Sequence, residues 1–173
     1  MKFISFNHDN SEKFGIIENN LITDLTGKID GALSLKELIK IKKIKEAKEY
    51  AKSNPGSIKL DEIKYSPLIP NPGKIICVGL NYSEHVKETN RTVEENPVIF
   101  HRFPESQTAH MQAIQRPTVS ESLDFEGEMA VVMDEGGKHI KPEDALKHIV
   151  GFSCYNESTI RAVSYTHLTL PTT

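Results

Sequence analysis

Glu126 and Glu128 stand two residues apart in the stretch Leu123–Met133, LDFEGEMAVVM. If that stretch is a β-strand, side chains alternate between its faces. Asp124, Glu126, Glu128, Ala130 and Val132 then share one side, and Leu123, Phe125, Met129, Val131 and Met133 share the other. Two carboxylates on one face, with Cα atoms about 7 Å apart, can converge on a single cation. Their mutual repulsion is costly unless a positive charge answers it, and a divalent metal would supply that charge. The same spacing also describes a solvated face of a half-exposed strand, so the pair does not define a metal site by itself.

Other residues of suitable chemistry lie on either side. Asn81 with Glu84 three positions on has the form of a helix N-cap, which places His85 and Glu88 on one face of a short helix. A carboxylate beside an imidazole fixes its tautomer and raises its basicity, giving a group able to take a proton from water near neutral pH. A surface His with a surface Glu on an amphipathic turn is the plainer alternative. Arg102 follows an apolar run and could hold an anionic substrate group, although such an Arg also packs or pairs locally. Phe152–Glu157 reads as a strand ending in a third carboxylate, Glu157, with Arg161 close behind.

These residues need elements to position them. Lys2–Leu25 carries three short alternating runs broken by His8-Asp9-Asn10 and Asn19-Asn20, the pattern of a small meander. Ser34 and Glu37 suggest a capping box opening one helix that runs to about Lys52, its apolar stripe formed by Leu35, Leu38, Ile39, Ile44, Ala47 and Ala51. The many lysines of that helix are interspersed with Glu, as on a solvated face. The proline-spaced run from Ser66 to Gly73 reads as an extended linker. The expected organisation is a small N-terminal domain over 1–65, a linker over 66–73, the first part of a catalytic domain over 74–161, and a tail over 162–173. Strands are expected at Lys74–Val78 and from Pro97, a turn at Gly136-Gly137, and a helix from Pro142 to Ile149.

Composition narrows the possible roles. The chain has 173 residues and a formal charge of −3, from 21 Lys and Arg against 24 Asp and Glu. That balance provides no polycationic face for nucleic acid, and no apolar run reaches membrane-spanning length. The N-terminus lacks the pattern of a signal peptide, so the expected location is cytoplasmic. Cys77 and Cys154, both within apolar segments, are expected as buried thiols in a reducing compartment. Residues 1–65 hold twelve Lys against ten acids, whereas 66–173 hold nine Lys and Arg against fourteen. The second part is the acidic one, as suits cation binding.

Taken together, CVGLNYSEHVKE (77–88), LDFEGEMAVV (123–132) and GFSCYNESTIR (151–161) resemble the fumarylacetoacetate hydrolase superfamily. The resemblance implies an α+β, mostly β fold: a mixed β-sandwich or roll catalytic domain, incomplete here, after a small β-rich domain with one helix. It implies that Glu126, Glu128 and Glu157 ligate Mg²⁺ or Mn²⁺, that His85 and Glu88 form a water-activating dyad, and that Arg102 and Arg161 contact substrate. All-oxygen ligation independently suits a hard cation. Members usually have Asp where this chain has Glu157, and some have Arg where it has Leu80. The implied activity is hydrolytic cleavage of a carbon–carbon bond in a keto acid or 1,3-dicarbonyl, in a parent protein that forms a homodimer. A decarboxylase, isomerase or hydratase acting on a related keto acid is the alternative within the family. A non-enzymatic binding domain, or an inactive fragment, is the alternative outside it.

The last eleven residues, VSYTHLTLPTT, contain no Asp, Glu, Lys or Arg and have no counterpart in the family at that point. They resemble a translated sequencing-library adapter read in one frame. The expectation is that native sequence ends at Arg161 or within codon 162; different codons in the encoding gene would refute it.

Overall fold

A computed structural model describes residues 1–83, 86 and 96–162. Among the described residues it is mostly β with two short α-helices within 35–53, and the chain divides into two compact units, Met1–Leu38 with Lys43–Met111 and Ile39–Lys42 with Gln112–Thr173.

The first unit is built on the expected meander. Strands β1 (Lys2–His8), β2 (Ser11–Glu18) and β3 (Leu21–Asp24) pair antiparallel, and β4 (Ile58–Lys59) and β5 (Lys64–Tyr65) complete a five-stranded sheet in the order β4-β3-β2-β1-β5. The two-residue turns use Asp9-Asn10 and Asn19-Asn20, all at positive φ, as tight hairpins with the twist of the strands require. The register puts Ile4, Phe6 and Ile22 on one face of this sheet and Phe14 and Ile16 on the other, and both faces are covered: these residues, with Leu25, Ile29 and Leu38, are at 2% exposure or less except for Ile4 at 6%.

The single helix expected over 34–52 is two helices, α1 (Leu35–Lys40) and α2 (Ile44–Ser53). The Ser34 hydroxyl accepts from the Glu37 N–H at 3.2 Å, and the Glu37 carboxylate accepts from the Leu33 N–H, so the start is close to the expected cap. The break follows from a Schellman closure. Lys43 N–H donates to the Leu38 carbonyl and Lys42 N–H to the Ile39 carbonyl, with Lys42 left-handed at φ 59°. Periodicity continues through such a reversal because both helices bury the same kind of face, Leu38 and Ile39 from one and Ala47 and Ala51 from the other.

β6 (Ile75–Gly79) and β7 (Val98–Arg102) form an antiparallel pair in the same unit, close to the expected positions. Val86 is buried, and its N–H donates to the Tyr82 carbonyl four residues back.

The second unit is a long antiparallel ribbon. β9 (Gly127–Met133) pairs with β10 (Ile149–Asn156), and β8 (Leu123–Asp124) pairs with β11 (Thr159–Ile160). The expected continuous strand over 123–133 is interrupted at Phe125-Glu126. There the Phe125 N–H turns to the Asp124 carboxylate and the Glu126 N–H to the Asn156 side chain instead of to backbone carbonyls of a neighbouring strand. Pro142–His148 is a 3₁₀ helix rather than an α-helix, and β10 stops one residue before Glu157.

Burial in this ribbon departs from the sequence expectation. The apolar side of the strand is the exposed one, with Phe125 at 77%, Met129 at 63% and, across from Val131, Phe152 at 60%. Cys154 lies on that outward face and is exposed, while Cys77 is half-buried, so neither thiol is enclosed as expected. Alternation fixes which residues share a face; what packs against that face decides burial.

Candidate metal centre

The ribbon collects the carboxylates. The register that pairs Gly127 with Asn156 is also the one that pairs Asp124 with Thr159, so the interruption leaves the two halves in step. Glu126 therefore falls opposite Glu157, and the Glu157 N–H donates to the Glu126 carbonyl at 2.8 Å. Residues opposite one another in an antiparallel pair point to the same side, with Cβ atoms about 5 Å apart. Glu128, two residues along, belongs to that side as well and stands opposite Tyr155. Glu126, Glu128 and Glu157 thus share one face. It is the inner one: Glu126 and Glu128 are half-buried and Glu157 is 8% exposed.

The same face carries two further charged groups. Arg161 lies opposite Ser122, whose carbonyl accepts its N–H. Its guanidinium reaches Asp124 Oδ2 through both Nε and Nη2 at 3.0 Å, and Glu126 Oε1 through Nη1 at 3.2 Å. Asp124 and Asn156 were not singled out in the sequence. The Asp124 signal was available, since it shares strand parity with Glu126; that of Asn156 was not, because its role is to accept the Glu126 N–H across the ribbon.

Among the described residues, no three His, Cys, Asp or Glu side chains close around one point as they stand, and Glu126 is turned toward Arg161. The donor chemistry nevertheless fits a hard divalent cation. The carboxylates are oxygen donors on one face in common register, and a positive group already lies on one of them. Carboxylates taken out of water are stabilised by positive charge, and a divalent cation is one group that oxygen donors sharing a face can hold.

His85 and Glu88 lie outside the described residues, as do residues 163–173. Arg102 ends β7 in the first unit, half-buried. Arg161, expected to contact substrate, lies on Asp124 and Glu126.

Leu80, directly after β6, is held at φ 54°. A left-handed conformation costs a bulky residue about 1 kcal/mol or more, so the start of the CVGLNYSEHVKE segment is strained. Among the described residues no helix is long and apolar enough to cross a membrane.

Comparison with known proteins gives the context. An oxaloacetate tautomerase of Xenopus laevis, named as mitochondrial, is 36% identical over 118 residues, which is 68% of this chain and 37% of that protein. A mitochondrial oxaloacetate tautomerase of Homo sapiens is 37% identical over 100 residues, 58% of this chain and 32% of that protein. The chain thus spans about a third of the length of these relatives. Among solved structures, a fumarylacetoacetate hydrolase from Exiguobacterium antarcticum matches with a TM-score of 0.74 at 27% identity, over 98% of this chain and 60% of that one. A maleylpyruvate hydrolase from Sphingobium sp. SYK-6, solved with manganese(II) and pyruvate, shares the fold with a TM-score of 0.76 at 20% identity, over 93% of this chain and 60% of that one. The family described as Fumarylacetoacetate (FAA) hydrolase C-terminal matches residues 74–172, extending into the segment read as adapter. That match covers more than half of the sequence and contains Glu126, Glu128 and Glu157; the chain belongs to the fumarylacetoacetate hydrolase family.

Proposed function

We propose that this chain carries the metal-binding part of an enzyme acting on a small keto acid or 1,3-dicarbonyl, with Glu126, Glu128 and Glu157 as ligands of Mg²⁺ or Mn²⁺. The observation that carries the reading is the register that sets Glu126 opposite Glu157 with Glu128 on the same inner face. Manganese in the maleylpyruvate hydrolase neighbour is in keeping with this choice of metal. When bound, the cation would supply Lewis acidity toward adjacent carboxylate and carbonyl oxygens of the substrate.

The chain's own residues would do the rest. His85, its tautomer fixed by Glu88, would take up and return the proton that the reaction moves. Arg102 would pair with an anionic group of the substrate. A tautomerase needs that proton moved between carbon and oxygen. A hydrolase needs it taken from water, which then adds to a carbonyl before the carbon–carbon bond breaks. Sequence favoured hydrolysis. The tautomerase reading rests on the oxaloacetate tautomerases at 36–37% identity, closer in sequence than the hydrolase neighbours at 27% and 20%, and we place it first.

Two measurements test this. Calorimetric titration with Mn²⁺ should show binding that is lost in Glu126→Ala and Glu128→Ala; binding unchanged in both variants would overturn the ligand assignment. Ultraviolet absorbance of the enol of oxaloacetate, followed beside pyruvate release from a 2,4-diketo acid, separates the reactions. Pyruvate release with no acceleration of enol–keto exchange would restore the hydrolase reading.

A further inference from the structure

Four carboxylates, those of Asp124, Glu126, Glu128 and Glu157, occupy one face of the ribbon, and the Arg161 guanidinium lies between the first two. Its contacts are unequal. Asp124 Oδ2 takes both Nε and Nη2 at 3.0 Å, whereas Glu126 Oε1 takes only Nη1 at 3.2 Å. Glu126 is the more enclosed of the two, at 20% side-chain exposure against 46% for Asp124. An arginine paired with Glu126 alone would compete directly with a metal ion, since it would neutralise a ligand and place a positive charge beside the cation.

From this we infer that Asp124 is a positioning residue of the metal centre. It anchors Arg161 through the two-nitrogen contact, so that Glu126 can exchange its single guanidinium contact for a divalent cation while Arg161 stays on Asp124. Arg161 thereby serves as the internal counter-ion of Glu126 and Asp124 as its holder. The backbone supports the exchange. Glu126 is fixed by its N–H to Asn156 and its carbonyl to Glu157, so the side chain can turn without the chain moving. This assignment rests on the metal-ligand reading proposed above.

The test is a double-variant cycle read by Mn²⁺ calorimetry on the full chain, with circular dichroism confirming the fold. Asp124→Asn should weaken Mn²⁺ binding about tenfold, in the range seen when partners of metal ligands are removed, because the guanidinium then falls back on Glu126. In the Arg161→Gln background the same change should alter affinity less than about threefold, since no competing cation remains. A tenfold loss in both backgrounds would overturn the proposal, for Asp124 would then act independently of Arg161. A separate measurement needs no variant: on adding Mg²⁺, the Arg161 Nε–H resonance should stay protected from exchange, and loss of that protection would overturn the proposal equally. Absence of Mn²⁺ binding by the unaltered chain would defeat the ligand reading itself; Mn²⁺ binding with background-independent effects would defeat this inference alone.

Discussion

Phe6 and Phe152 are the same residue type on β-strands of the two units, and their replacement by Ala should give opposite results. Phe6 is fully buried, packed with Ile4 and Ile22 and bordered by Ile17, Ile58 and Tyr65. Removing its ring forfeits the transfer free energy of the side chain and leaves a cavity, a combined cost of about 3–5 kcal/mol. Phe152 is 60% exposed, so truncation removes little burial and should change stability by less than about 0.5 kcal/mol. The contrast reflects a wider difference. Among described residues the buried apolar side chains belong to the first unit apart from Ile39, and in the ribbon over 122–161 the only buried residue is Glu157. Urea denaturation followed by far-ultraviolet circular dichroism is the assay, since the sequence has no Trp. Hydrogen exchange adds position: amides of β1 and β2 should exchange more slowly than those of β9 and β10. Where Phe6→Ala fails to fold, Ile22→Val, with an expected cost of about 1 kcal/mol, serves in its place. A loss of 2 kcal/mol or more in Phe152→Ala would refute the reasoning, because it would mean that the outer face of β9 and β10 is covered in solution.

Other expectations follow from single residues. Lys42→Gly should stabilise the chain by about 0.5 kcal/mol in the same denaturation assay, since relief of the left-handed closing position of α1 outweighs loss of the exposed Lys42–Glu135 ion pair. Asp24 lies below its ordinary pKa of 3.8: burial pushes the carboxyl up, but hydrogen bonds from Lys13 and Thr26 and the Lys13 charge outweigh it. A lowered folded-state pKa adds stability at pH above the unfolded value and loses it as pH falls through the folded one. Asp24→Asn should therefore cost about 1 kcal/mol at pH 7, typical of a half-exposed ion pair, and progressively less below pH ~3.8; a cost independent of pH would contradict the assignment. His85→Gln should leave Mn²⁺ affinity unchanged within about threefold while lowering turnover about a hundredfold or more on whichever keto acid the chain converts. Unchanged turnover in steady-state assays would remove His85 from the mechanism.

Much of the first unit was legible because its signals are local. Asn19-Asn20 and Asp9-Asn10 mark tight turns, and alternation in the flanking runs assigns which residues share a face without knowledge of the partner strands, although both faces are buried at residues 4–6 and 14–16. The helix break at Lys42 was not legible. The apolar stripe continues on either side of it, and nothing at the position itself, a lysine where glycine is usual, signals a reversal. For the candidate metal centre, residue type and parity on one strand related Glu126 to Glu128, and the resemblance of three motifs added Glu157. Only pairing in space could show that Glu157 stands opposite Glu126, because cross-strand register is set by both strands and the connection between them.

Sequence alone determined the chemistry available: hard oxygen donors, a spacing that sets two carboxylates on one strand face, and membership of the fumarylacetoacetate hydrolase family. Tertiary structure decided how those groups are shared. It placed Arg161, expected to contact substrate, on Asp124 and Glu126, and it exposed the apolar side of LDFEGEMAVVM while half-burying the charged side. The physical reason is common to both. Strand periodicity fixes which side chains share a face, but charge pairing and burial depend on what the fold brings against that face.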